Sequence, residues 1–153
     1  MSAIAARVRS LETLFREIQR TRMAGVPLLH RALRVEAVGF EALADPGGDE
    51  PAALGVLLTP WFMNLVWLPL RPSAGHRGVG GVRERQVGGT RLEFIAAAEP
   101  GFGAYEACSL ASPMFEFAHQ AAARATALAV LAWLRSSAPP ASSGRRGFLF
   151  GRA

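Results

Sequence analysis

Apolar residues recur at steps of four and three along the opening of the chain, at Ile4, Val8, Leu11, Phe15 and Ile18, while Arg7, Glu12, Arg16, Gln19 and Arg20 fall between them. That period places one apolar stripe along a helix, and Glu12 with Arg16 adds a favourable pair one turn apart. Gly25 and Pro27 supply the stop, so the pattern predicts a helix over residues 3–23. From Leu33 to Leu43 the period changes to two, with Leu33, Val35, Ala37 and Gly39 set against Arg34, Glu36, Val38 and Phe40. This is the alternation of a strand exposed on one face. Asp45-Pro46-Gly47-Gly48-Asp49 then breaks it as a loop. The runs Ala53–Leu58 and Met63–Leu70 do not alternate, which predicts two strands buried on both faces at the centre of a sheet. Residues 51–70 carry no charge over a length that would span a membrane, but Pro60, Asn64 and Pro69 favour two strands joined by a turn at Thr59-Pro60. Arg71–Gly81 reads as a flexible glycine-rich loop, Val82–Val87 and Thr90–Ala97 as a hairpin about Gly88-Gly89, and Ala104–Leu110 as a last strand.

The second helix has the clearer start signal. Ser112 suits an N-cap, Pro113 the first helical position, and Glu116 the positive end of the helix dipole. Met114, Phe117, Ala121, Ala125, Leu128 and Ala132 then trace an apolar stripe, and Pro139-Pro140 ends it. Residues 141–153 are small, polar and basic. The reading is therefore α+β: a single domain over residues 1–140, a mainly antiparallel sheet of about five strands flanked by an N-terminal and a C-terminal helix, and a flexible basic tail over residues 141–153.

Composition removes several function classes. A chain of 153 residues, 50% apolar and 19% charged, can bury one core and is not disordered throughout. Its net charge of +5 is carried by arginines scattered from Arg7 to Arg152, without the concentrated basic face that nucleic acid requires. No apolar signal region follows the opening residues, which predicts a cytoplasmic protein. Cys108 stands alone, and His30, His76 and His119 lie far from one another and from it in sequence, so neither a disulfide framework nor metal-ligand spacing is present. No cofactor is expected. Catalysis would need Glu93, Glu106, Glu116 or His119 to converge in one cleft, and no nucleophile or phosphate-binding motif accompanies them. The expectation is a non-enzymatic protein.

Two segments carry a more specific message: Thr59-Pro60-Trp61-Phe62-Met63-Asn64-Leu65, and Ser109-Leu110-Ala111-Ser112-Pro113-Met114-Phe115-Glu116-Phe117 running on through Ala122-Ala123-Arg124-Ala125-Thr126-Ala127. They resemble the HybE/HupJ family of nickel-iron hydrogenase assembly chaperones. With the opening helix and the strand Val35–Phe40, the resemblance covers most of residues 10–135. It departs from the pattern at Ala111, where Phe is usual, and at His119, where Asp is usual.

The resemblance implies a cytoplasmic maturation role. The chain would bind immature hydrogenase subunits, the small-subunit precursor with its twin-arginine signal, the large-subunit precursor, or both. It would delay export or protect them, from oxygen among other hazards, until assembly is complete. Some relatives are fused to a rubredoxin domain. A chain with one cysteine holds none, which makes a separate rubredoxin-like maturation protein a candidate partner. Pro60, Trp61, Phe62, Met63, Asn64, Ser112, Pro113, Met114, Phe115, Glu116 and Phe117 are the expected client-binding residues, since aromatic and methionine side chains supply adaptable apolar contacts. In the tail, Gly144-Arg145-Arg146-Gly147-Phe148-Leu149 is similar to the core of a twin-arginine signal, at the wrong end of the chain for export. Arg145, Arg146, Phe148 and Leu149 are thus placed as a stand-in for the client's own segment. The competing reading is a cofactor-delivery or small-molecule module of the same pathway, with Trp61 and Phe94 lining an apolar pocket.

Overall fold

A computed structural model describes residues 2–43, 51–71 and 78–136. The expected loop at residues 45–49, the middle of the expected 71–81 loop (residues 72–77), the Pro139-Pro140 stop and the 141–153 tail lie outside the described residues.

Helix α1 runs over Ala3–Arg20, with Ser2 as N-cap accepting from the Ala5 amide, and stops three residues short of the expected end. Its apolar stripe is as read, with Leu11, Phe15 and Ile18 buried. Arg7 is a correction. Expected on the polar side, it is buried, stacks on the Phe102 ring at 4.0 Å and donates to the Pro69 and Phe102 carbonyls. Desolvation lowers its pKa.

Six strands follow: β1 Glu36–Ala42, β2 Ala52–Leu58, β3 Met63–Pro69, β4 Val82–Val87, β5 Thr90–Glu99 and β6 Gly103–Ala111. They form one sheet in the order β1-β2-β3-β6-β5-β4 with every pairing antiparallel. The strand count is therefore six. The segment after β3 carries the chain to the far edge, and the hairpins then bring β6 back beside β3. The apolar run of residues 51–70 is the β2–β3 hairpin, and no helix among the described residues is long and apolar enough to cross a membrane.

The sheet has a helix on each face. On one side α1 packs on Val35, Leu57, Val66, Leu68, Phe102 and Tyr105. On the other, helix α2 (Gln120–Ser136) packs on Val38, Leu54, Val56, Leu58 and Leu65. The strictly alternating reading of β1 fails because one extra residue is accommodated between Val38 and Glu41. Gly39 there takes a φ of +68°, and an added Cβ would sit 2.6 Å from Leu131, so α2 approaches the bulge closely. Phe40 lies across Gly55 of β2, where a Cβ would be 2.4 Å from its ring.

The two sheet edges differ. On β1, the Ala37 amide donates to Glu12, the Gly39 carbonyl accepts from Arg135, and just before the strand Gln120 bonds both the amide and the carbonyl of Arg34, as a neighbouring strand would. Side chains of both helices thus close that edge. The edge of β4 instead displays Arg83 and Arg85 on one face and Glu84 and Gln86 on the other.

Candidate functional site

Two sequence expectations for the second helix are overturned. Ser112 and Pro113 do not begin it; the Ser112–Pro113 peptide is cis, and residues 112–119 form a loop before α2 starts at Gln120. His119 does the capping: its Nδ1 accepts from the Ala122 amide, while its carbonyl accepts from the Ala123 amide. A cap signal followed by proline is only a local preference, and here the loop is held by burying Met114 (0% exposed) and Phe117 (8%) in the core beneath α2. The stripe Ala121, Ala125, Leu128 and Ala132 faces solvent, and Gln120, Ala123, Ala127, Leu131 and Leu134 face the sheet.

This loop comes to lie beside the β2–β3 bend. Thr59, fully buried, builds the bend: its Oγ1 accepts from the Trp61 and Phe62 amides, and its own amide donates to the Phe62 carbonyl. Trp61 and Phe62 lean edge-on against each other (5.5 Å) and onto Phe15 of α1, each half-buried, while Pro60 and Met63 are buried. Met63 pairs with Ala111, Asn64 with Ser109, and the extra residue between them on β6 turns the chain toward the loop. Ser112 Oγ donates to the Trp61 carbonyl.

The joint is His30, which sequence reasoning left as an unassigned histidine. Its amide donates to the Pro60 carbonyl at 2.8 Å, its Nε2 donates to the Phe117 carbonyl at 2.7 Å, and its Nδ1 accepts from the Ala32 amide. One ring nitrogen thus faces an acceptor and the other a donor, the arrangement that suits the tautomer with its proton on Nε2. It also stacks on Phe115 at 5.8 Å. One residue therefore ties the segment after α1 to the bend and to the loop. No local pattern marks it, since its partners are 30 and 87 positions away.

The result is one end of the molecule with mixed exposure. Ser112, Pro113, Phe115 (54%) and Glu116 are exposed, Trp61, Phe62 and Asn64 half-buried, and Pro60, Met63, Met114 and Phe117 interior. An open cleft of about 570 Å³ adjoins it, lined among others by Val26, Pro27, Leu29, His30, Arg31 and Pro60, and Leu28 beside it is 52% exposed. Among the described residues Glu116 has no ion-pair partner, unlike Glu36, Glu99 and Glu106. The tail residues Arg145, Arg146, Phe148 and Leu149 lie outside the described residues.

The other proposed chemistries do not assemble. Trp61 and Phe94 belong to clusters on opposite faces of the sheet, so they line no common pocket. Glu106 is held by Arg85 in two 2.7 Å bonds, with Arg85 stacked on Trp67. Burial, and secondarily Glu93, raises the Cys108 pKa, which disfavours its thiolate. Among the described residues no three His, Cys, Asp or Glu side chains come together as metal ligands would.

Comparison with known proteins agrees with the family resemblance. Residues 6–151 match the family described as "NiFe-hydrogenase assembly, chaperone, HybE". Protein HoxT of Cupriavidus necator is 52% identical, over 95% of this chain and 89% of its own length. The hydrogenase expression/formation protein HupT of Azotobacter chroococcum is 38% identical over 94% and 93%. The probable rubredoxin HupJ of Rhodobacter capsulatus is 40% identical over 84% of this chain, which spans 44% of that protein. The solution structure of HybE from Escherichia coli shares the fold, with a TM-score of 0.61 over 96% of this chain and 90% of that one at 24% identity. The chain belongs to the HybE family of nickel-iron hydrogenase assembly chaperones.

Proposed function

We propose that the end of the molecule built by the β2–β3 bend and the 112–119 loop holds an extended segment of an immature hydrogenase subunit, one in which basic residues precede apolar ones. The twin-arginine signal of a small-subunit precursor has that order. The observation carrying this reading is the adjacency of Phe115, exposed and held by His30, to Glu116, a carboxylate without a cationic partner among the described residues. A carboxylate at the rim of an apolar surface favours a cation followed by apolar residues. Arg31 lines the neighbouring cleft, so the apolar half of the segment belongs there and the arginine pair beside Glu116. Trp61 and Phe62 supply the remaining aromatic surface.

Holding that segment keeps the precursor in the cytoplasm until assembly is complete, and a complex with the large subunit shields immature metal centres in the same interval. A rubredoxin-like protein acts beside it as a separate chain, which the HupJ relative's name and greater length support.

The test is binding of the full chain to a small-subunit precursor and to the same subunit without its signal. The precursor is expected to bind, the shortened form at least tenfold more weakly, a difference of about 1.4 kcal/mol. Glu116→Arg should weaken precursor binding by a similar factor. Equal binding of both forms would overturn the proposal.

A further inference from the structure

Cross-strand neighbours Val66, Ala107, Ile95 and Val82 stand in one row over β3, β6, β5 and β4, on the face of the sheet that carries α1. Exposure climbs along the row: Val66 is buried beneath α1, Ala107 half-buried, Ile95 54% and Val82 61% exposed. Val79, in the turn whose Gly80 and Gly81 bond Ala96 of β5, is 53% exposed. The helix thus covers the β3 end of the row, and the apolar surface continues past it onto the β4–β5 hairpin. One step further along the same face, Glu93 stands directly opposite Glu84. Like charges so placed oppose strand pairing. Arg91 reaches Glu84 at 3.7 Å with both side chains largely exposed, and Glu93 has no ion-pair partner among the described residues.

We infer that this face of the β4–β5 hairpin is a second client surface, and that it takes the large-subunit precursor through a patch in which a lysine or arginine stands among apolar side chains. This rests on the function proposed above, which gives the bend end to the signal-bearing small subunit. Charge complementarity selects the occupant. A partner cation set between Glu84 and Glu93 relieves a repulsion that the hairpin otherwise bears alone, while its apolar neighbours cover Val79, Val82 and Ile95. A second copy of this chain, meeting the patch with its own, would offer Arg91 as the cation, and that residue is already paired with Glu84. Shape separates the two client surfaces as well. The hairpin face is two strands wide and open, which suits the surface of a protein, whereas the cleft beside Pro60 suits an extended segment. Three strand spacings, about 14 Å, lie between β3 and β4. A subunit seated on the hairpin therefore leaves the bend open, and one molecule can hold both precursors together.

Glu93→Lys in the full chain separates binding from folding. It turns a like-charged pair into an ion pair across the strands, so Tm should hold or rise, while affinity for the large-subunit precursor should fall about tenfold. Ile95→Thr keeps a β-branched residue on the strand, and should lower that affinity severalfold with Tm nearly unchanged. Affinity for a synthetic twin-arginine signal peptide should be the same in both variants as in the unaltered chain. A large-subunit affinity that either change leaves untouched would overturn the inference, and so would a loss that runs in step with Tm and with peptide binding. A self-associated chain that Ile95→Thr makes monomeric would give the face to a second copy and overturn it equally. If the signal peptide binds no variant while the large-subunit precursor binds the unaltered chain and is weakened by both changes, this surface stands and the reading of the bend end falls.

Discussion

Gly55 shows how much of this packing turns on single atoms. Its missing side chain is the space occupied by Phe40, whose ring would lie 2.4 Å and whose Cα 2.8 Å from an added Cβ. Because a backbone atom is among the obstacles, rotamer adjustment is insufficient, and Gly55→Ala is expected to cost about 2–3 kcal/mol, read from the urea midpoint. At Glu106 the argument is electrostatic. Its carboxylate, 8% exposed, neutralises Arg85 on the face of Trp67, with Arg83 at 3.7 Å. Glu106→Ala removes both of these bonds and the buried carboxylate that anchors Arg85 over Trp67, and should cost about 1–2 kcal/mol by the same measurement, less than for a wholly dry pair. Residue identity alone predicted these environments unevenly. Leu11, Phe15 and Ile18 were legible because a period repeats them. Arg7 was not, since its burial depends on the Pro69 and Phe102 carbonyls, which sequence spacing does not bring to mind.

Helices were readable as helices, but which face they bury was readable only for α1. Its single apolar stripe leaves one way to dock. In α2 alanine fills both sides, so Ala121–Ala125–Leu128–Ala132 and Ala123–Ala127–Leu131–Leu134 are equally good helical stripes. The choice is made by Gln120 and Arg124, whose bonds to Arg34 and Glu36 orient the helix on β1. Burial alone would raise the Glu36 pKa, but hydrogen bonds from Arg124 and Gln120 outweigh it and hold the value below the ordinary one. A carboxyl depressed in the folded state contributes stability above its unfolded pKa and loses it as pH falls through the folded pKa. Acidification below the ordinary glutamate range should therefore loosen α2, seen as faster amide exchange at Ala123–Leu131. Glu36→Gln should remove that pH dependence at those amides; a dependence that persists would assign it elsewhere.

For the molecule as a whole, the α+β class and antiparallel pairing follow from short turns and period-two runs, whereas placing β4 at the far edge does not, because only assembly of β3 against β6 decides it. The end proposed to hold a client has the same character: its two segments stand out in the sequence, yet their meeting depends on His30. Exposure divides them into outward residues and interior supports. Phe115→Ser should leave Tm nearly unchanged while weakening precursor binding, and Phe117→Ser should lower Tm by several degrees, since one ring faces outward and the other lies in the core. Thermal scans with paired binding measurements check both. The opposite border of the sheet bears on how copies of this protein tolerate one another. If two β4 strands zipped together antiparallel into one continuous sheet, residues of like parity would stand side by side. In the two like-parity alignments of longest overlap this sets Arg83 beside Arg85 with Glu84 beside Glu84, or Arg85 beside Arg85. With the described part of β1 sealed by side chains of both helices and like charges set against one another along β4, the margins of the sheet disfavour its extension by another copy.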